Sequence, residues 1–258
     1  MIVKLYDAFN YYRAIAEKDP TSLAPRKLYQ DMVAQAGTLH VWVYDGKGAR
    51  KRRQAIFPGY KAKRPPTPSD IQASMQFFQE LLVHSTAYQI QMPGIEADDV
   101  IATLVAHYAP MAQRVEIYSN DYDLMPLTGG NVFCGAIAKE GVKTQDIQVY
   151  KAFVGDSSDE VPGVKGFGKA AWAAADVGVL RAIALGGDLD KLLPLMFRSE
   201  ARGEKSIKTW ITENREQLTA MWTIVGFLPP SISEVTSAIQ RPIHDPVRIE
   251  AMLRDLLL

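Results

Sequence analysis

The chain has 258 residues, 47% hydrophobic and 22% charged, enough to bury a full core as one large domain or a domain with a helical extension. Its single cysteine, Cys134, excludes an intrachain disulfide, and Lys4 and Asp7 interrupt the apolar opening MIVKLYDAFN, which excludes a signal or membrane span and places the chain in the cytoplasm. The net charge of zero conceals a segregation: eight Lys or Arg and no acid lie between Lys47 and Ser69, and setting this +8 aside leaves −8 on the remainder.

In chain order, a strand is predicted at Ile2 to Tyr6, ending on Asp7. A helix follows at roughly Leu23 to Ala36, then a second strand at Leu39 to Tyr44, ending on Asp45. Open α/β sheets place their functional crevice at the carboxyl ends of the strands, so acids that terminate strands can meet there. One such Asp is ordinarily a turn or a helix cap; three strands ending in Asp point to a site. The cationic stretch comes next, interleaved with Phe57, Tyr60 and the bend Pro65-Pro66-Thr67-Pro68, a mixture that suits nucleic acid. An amphipathic helix is predicted at Asp70 to Val83, with Ile71, Met75, Phe78, Leu81 and Leu82 at helical spacing, and a third strand at Tyr88 to Met92.

Between Gly94 and Asp123 five carboxylates stand at the two ends of one helix–strand unit. Glu96, Asp98 and Asp99 open an apolar helix, and Asp121 and Asp123 follow the fourth strand, Arg114 to Ser119. On a helix Glu96 and Asp99 share a face while Asp98 points elsewhere; Asp121 and Asp123 share a side if the backbone stays extended. Acids packed so closely raise one another's pKa unless a cation lies between them. An all-oxygen donor set suits magnesium or manganese.

A further strand is predicted at Asn131 to Ala138 and a helix at about Gln145 to Val154, which runs into Gly155-Asp156-Ser157-Ser158-Asp159. Asp156 and Asp159, one helical turn apart, can share a face. Gly163, Gly166 and Gly168 permit a tight turn before a helix starting near Lys169, where exposed amides can hold a phosphate without reading its base. A dinucleotide fingerprint is excluded, since the glycines run G-x-x-G-x-G with no strand before them. Val177 to Leu258 reads as helices (about Val177 to Leu185, Asp188 to Phe197 and Lys205 to Val225), with Trp210, Trp222 and Phe227 expected in core packing.

Four segments in order resemble the 5′-nuclease family, which includes flap endonucleases, phage 5′-exonucleases and the 5′-nuclease domain of bacterial DNA polymerase I. They are Val43-Tyr44-Asp45-Gly46-Lys47-Gly48, Tyr60-Lys61-Ala62-Lys63-Arg64-Pro65-Pro66, Gly94-Ile95-Glu96-Ala97-Asp98-Asp99-Val100-Ile101, and Val154 to Asp159 with its glycine turn. Asp7 and the pair Asp121 and Asp123 complete the set. The resemblance implies a PIN-like α/β fold, a mixed central sheet flanked by helices, with a helical arch or gateway and a C-terminal region carrying a helix-three-turn-helix. Its domains would be a nuclease core over 1–143, with the basic arch at about 47–86, and a helical region over 144–258, packed as one compact unit.

By position, Asp7, Asp45, Glu96 and Asp98, with Asp99 beside them, resemble the family's first metal ligands, and Asp121, Asp123, Asp156 and Asp159 its second. Lys61 and Arg64 match the arch residues that contact the scissile phosphate. The family's arginine falls on Arg53 or Arg52, and counting back from Tyr60 favours Arg53. Further nucleic-acid contacts implied are Tyr60 and Lys63 and, at the turn, Gly163, Lys165, Gly166, Gly168 and Lys169, where relatives often hold a monovalent cation, potassium. Lys169 stands where the family usually has an acid. No polymerase-sized extension follows, which implies a stand-alone nuclease.

Two divalent ions, Mg2+ or Mn2+, about 4 Å apart would stabilise the attacking and leaving oxygens of a phosphodiester. The implied activity is flap endonuclease and 5′-3′ exonuclease on DNA with a free 5′ end, a flap or a single-strand/duplex junction, by a monomer without a membrane partner. Two alternatives are a PIN-like ribonuclease and a non-catalytic structure-specific DNA-binding protein. Nine carboxylates facing phosphate argue against the second.

Overall fold

Short runs rich in Val, Ile, Tyr and Trp pair into one six-stranded sheet: β1 (Ile2–Asp7), β2 (Thr38–Tyr44), β3 (Tyr88–Gln91), β4 (Arg114–Tyr118), β5 (Val132–Cys134) and β6 (Ile239–Gln240). The computed structural model describes residues 1–18, 24–33, 35, 37–137 and 141–255, so the predicted boundaries at Leu23, Ala36 and Ala138 lie outside the described residues. The chain divides into two units, Met1–Ala49 with Pro65–Ile137 and Pro229–Leu258, and Arg50–Arg64 with Ala138–Leu228.

The first unit holds the sheet, in the order β5-β4-β1-β2-β3-β6. Every pair is parallel except β3 with β6, so the sheet is mixed, as expected. Parallel strands are covered on both faces, and Val3, Leu5, Val41, Val43, Val115 and Ile117 are accordingly buried. On one face the Tyr6 ring stacks on Trp42 with centroids 4.3 Å apart, and Phe78, from the helix Ser69–Val83, meets Trp42 edge-on at 4.8 Å. Burying each such side chain contributes about 1.5–3 kcal/mol. The helix Pro246–Asp255 sets Ile249 and Met252 against Leu81.

Register decides where the acids fall. β1 lies between β2 and β4, with Asp7 opposite Val43 and Tyr6 opposite Tyr118. Asp45 therefore emerges just past the end of β2, and Asp121 just past β4. Asp7 also caps a helix absent from the sequence expectation, Ala8–Ala16, by accepting from Asn10 N. At Gly46 the chain runs so close to the next loop that a Cβ would lie 1.6 Å from the Met92 carbonyl oxygen. Only glycine fits, which is the physical content of the Asp45-Gly46 pair.

The second unit is helical, built around Val149, Phe153, Phe167, Met196, Ile207 and Met221. Trp210 and Trp222 pack partly buried against it. The helix expected over Lys205 to Val225 is broken at Asn214 (φ −122°, ψ 35°) into Glu204–Glu213 and Arg215–Ile224, with Asn214 Nδ2 donating to Trp210 O at 2.9 Å. Pro194, which lacks an amide hydrogen, likewise cuts the helix expected over Asp188 to Phe197 into Leu189–Leu192 and a 3₁₀ turn, Leu193–Leu195. Asp156 and Asp159 are on no helix. Asp156 and Val161 exchange two backbone hydrogen bonds of 2.8 Å, closing a turn that holds both aspartates.

Gly163 (φ 70°) packs against the start of that turn, where a Cβ would lie 2.6 Å from Gly155 N. Gly163→Ala should therefore lower the unfolding free energy by about 1–3 kcal/mol or more in urea titrations. Gly168→Ala, with nothing within 4 Å of the added methyl, should stay within about 0.5 kcal/mol of wild type.

Candidate active site

In the sheet unit the strand-end acids sit in one field. Asp7 is buried, with Oδ2 accepting from Ser119 Oγ at 2.8 Å. The same hydroxyl oxygen accepts from Asp121 N at 3.0 Å, so Ser119 ties the end of β1 to the residue beyond β4. Asp45 Oδ1 accepts from Ala97 N at 2.8 Å, which fastens the end of β2 to the first turn of the helix Ala97–Tyr108. Glu96 stands at the N-cap position just before that helix, in extended backbone and without a side-chain capping bond; Glu96 and Asp99 are buried and Asp98 is half-buried.

The backbone is extended at Asp121 but does not stay so as far as Asp123. Asp121 caps a 3₁₀ turn, Tyr122–Leu127, and its Oδ1 accepts from Asp123 N at 3.0 Å. Burial, together with the charges of Asp45 and Asp121, pushes the Asp7 carboxyl up to about 7 against the hydrogen bonds from Ser119 and Asn10. The side chains of Asp7, Asp45, Glu96, Asp98, Asp99, Asp121 and Asp123 offer a metal only hard carboxylate oxygens. The sheet-unit acids therefore fit a hard divalent cation.

The helical unit carries the basic residues and the last two acids. Asp156 is buried, with Oδ1 accepting from Ser158 N at 2.8 Å and Ser158 Oγ at 2.6 Å. Burial raises its pKa, but the ammonium of Lys151 and the Ser158 bonds outweigh this and hold the carboxyl below its ordinary value. Lys61, at φ 48°, donates its backbone N–H to Asp159 O at 3.1 Å and places Nζ 3.6 Å from Asp159 Oδ1. Its ammonium also lies 4.8 Å from the Tyr60 ring centroid, and Lys63 N donates to Glu160 Oε2 at 2.6 Å. The basic segment is thus pinned to the aspartate turn.

Arg53 is buried and donates to the carbonyls of Ile224 at 2.9 Å and Gly226 at 3.0 Å, while Arg52 donates to Leu228 O at 2.7 Å. Lys63, Arg64, Lys165, Gly166, Gly168 and Lys169 are exposed, whereas Tyr60 and Gly163 are buried. Two residues escaped the sequence reading. Ser119 was visible only as a hydroxyl two positions before an Asp, a spacing that allows a local bond to the backbone. Lys151 was visible as the lone charge in an apolar helical run, Ile147–Val154.

Residues 20–153 match the family model described as 5′-3′ exonuclease, N-terminal resolvase-like domain. The chain belongs to this family, as the sequence resemblance implied. It is 36% identical over 140 residues to a 5′-3′ exonuclease of Aquifex aeolicus, covering 50% of this chain and 48% of that one. It is 29% identical over 233 residues to a thermostable DNA polymerase I of Thermus aquaticus, covering 85% and 26%. The chain thus spans about half the length of the first curated relative and about a quarter of the second.

Among solved structures, T5 5′-exonuclease with zinc ions bound gives a TM-score of 0.62 at 16% identity, covering 100% of this chain and 98% of that one. A T5 flap endonuclease complex with DNA and metal ions gives 0.60 at 18% over the same shares. The catalytic core of Rad2 with a DNA substrate gives 0.53 at 14%, over 99% and 86%. At these identities the likeness is one of fold. Among the described residues, no helix is long and apolar enough to cross a membrane.

The Asp7 shift has a measurable sign. Its folded pKa of about 7 stands above the ordinary 3.8, so the stability it contributes is present below the ordinary value and lost as pH rises through about 7. Without divalent ions, Asp7→Asn should raise the melting temperature at about pH 8 and change it little at about pH 4. Equal effects at both pH values would show that Asp7 ionises freely in the folded protein.

Proposed function

We propose that the chain is a structure-specific, divalent-metal-dependent 5′-nuclease that hydrolyses DNA phosphodiester bonds, as a flap endonuclease and 5′-3′ exonuclease. The observation that carries this reading is the gathering of acids at the ends of β1, β2 and β4, where Ser119 ties Asp7 to Asp121 and where burial first, then the charges of Asp45 and Asp121, raise the Asp7 carboxyl. Membership of the exonuclease family supports it. In this reading Asp7, Asp45, Glu96, Asp98, Asp99, Asp121 and Asp123 of the sheet unit and Asp156 and Asp159 of the helical unit hold the divalent ions. Magnesium is the expected ion and manganese its substitute.

Divalent ions held there would supply a lowered pKa to bound water and charge stabilisation to the phosphoryl oxygens. Asp7 and Asp45 are oriented for this by Ser119 Oγ and Ala97 N. Lys61 and Arg64 complement the non-bridging oxygens of the scissile phosphate, where negative charge builds. The exposed Lys165, Gly166, Gly168 and Lys169 hold duplex DNA by its backbone, with a potassium ion at the glycine turn, so affinity falls steeply with salt and shows little sequence preference.

Asp121→Asn and Asp156→Asn should each slow magnesium-dependent cleavage of an end-labelled 5′-flap duplex by about a hundredfold or more while binding persists. Lys61→Ala should lower kcat more than it raises KM. Cleavage by Asp121→Asn at the wild-type rate would sink the ligand assignment, and cleavage that survives EDTA would sink the metal-dependent reading.

A further inference from the structure

The helix Ile147–Val154 carries one charged side chain, Lys151, and buries it to 2% exposure. An ammonium so far from water persists only when its charge is met by an opposite one. The Lys151 Nζ forms an ion pair with Asp156 Oδ2 and lies 3.6 Å from Asp159 Oδ2. The other Asp156 oxygen is taken by Ser158, and the other Asp159 oxygen lies 3.6 Å from Lys61 Nζ. Three of the four carboxylate oxygens of this pair therefore face a lysine, and none is left to a divalent ion uncontested.

We propose that Lys151 is a resident cation of the Asp156 and Asp159 pair, keeping the two carboxylates together without a divalent ion and yielding Asp156 Oδ2 when one binds. It is a positioning residue, for it acts through the aspartates. The inference rests on the reading of Asp156 and Asp159 as metal ligands.

Two opposite consequences follow from one charge. Without divalent ions, deleting the ammonium leaves buried carboxylates with less compensation, and the fold weakens. With them, the incoming ion no longer displaces a competitor and meets one more unit of net negative charge, so it binds more tightly. Lysine suits this part because its ammonium is a point charge on a flexible four-carbon stem and can shift without leaving the interior.

The test compares full-length wild type, Lys151→Met and Lys151→Arg, without DNA, by thermal melts in EDTA and across a manganese series and by calorimetric manganese titration. Lys151→Met should melt several degrees lower in EDTA, recover most of that loss at saturating manganese, and bind manganese about tenfold more tightly in the phase that Asp156→Asn removes. Lys151→Arg should track wild type. If Lys151→Met melts lower by the same amount with and without manganese and its affinity is unchanged, Lys151 is only a buried ion-pair partner and the inference fails.

Should Lys151→Met not fold in EDTA, the side-chain 15N signal of Lys151 in lysine-labelled wild type, assigned against Lys151→Arg, replaces it. Addition of magnesium should shift that signal, and an unmoved signal overturns the inference. If wild type itself shows no metal-linked change in melting, the ligand assignment under the proposed function falls, and this inference with it. If wild type shows the change and Lys151→Met does not enlarge it, the inference falls alone.

Discussion

Repulsion between like charges is the constraint on which the sheet unit turns. Parallel pairing of β1 with β2 and β4 brings Asp7, Asp45 and Asp121 into one electrostatic field, and the buried Asp7 cannot ionise easily there. Ser119 Oγ and Ala97 N steer Asp7 and Asp45 within that field. The fold thus spends part of its hydrophobic stability on holding acids where they disfavour one another, a common signature of a site built for a cation.

The helical unit meets the same problem differently. Its two aspartates sit in a turn closed by backbone bonds between Asp156 and Val161, and their compensation comes from the chain's own lysines. Lys151 and Lys61 set their ammonium groups against these carboxylates. The opposite directions of the Asp7 and Asp156 shifts express that difference.

Much of the fold was legible because its signals are local. β-branched and aromatic runs marked the strands, and glycine and proline marked the breaks. The acids were legible as well, since carboxylates at strand ends and in a first helical turn stand out in any reading. What the chain conceals are partnerships. The Asn214 break depends on one side-chain amide bonding a carbonyl a turn away, and the helix after β1 begins at a residue already assigned to a site. A buried Lys151 runs against the ordinary expectation that lysine is solvated, and nothing in the sequence tells that the Arg53 guanidinium lies on the Ile224 and Gly226 carbonyls. Sequence displays which groups are present and leaves out which groups satisfy them.

The position of β1 in the middle of the sheet bears on how the molecule forms. Its first partner, β2, begins at Thr38, but its second, β4, begins at Arg114, so that edge joins residues much farther apart along the chain. Closure entropy rises with the logarithm of loop length, so the β1–β4 pairing costs about 1 kcal/mol more to close than the β1–β2 pairing. The pairing that sets Asp7 near Asp45 is therefore the one with the smaller closure cost, and the pairing that brings in Asp121 carries the larger.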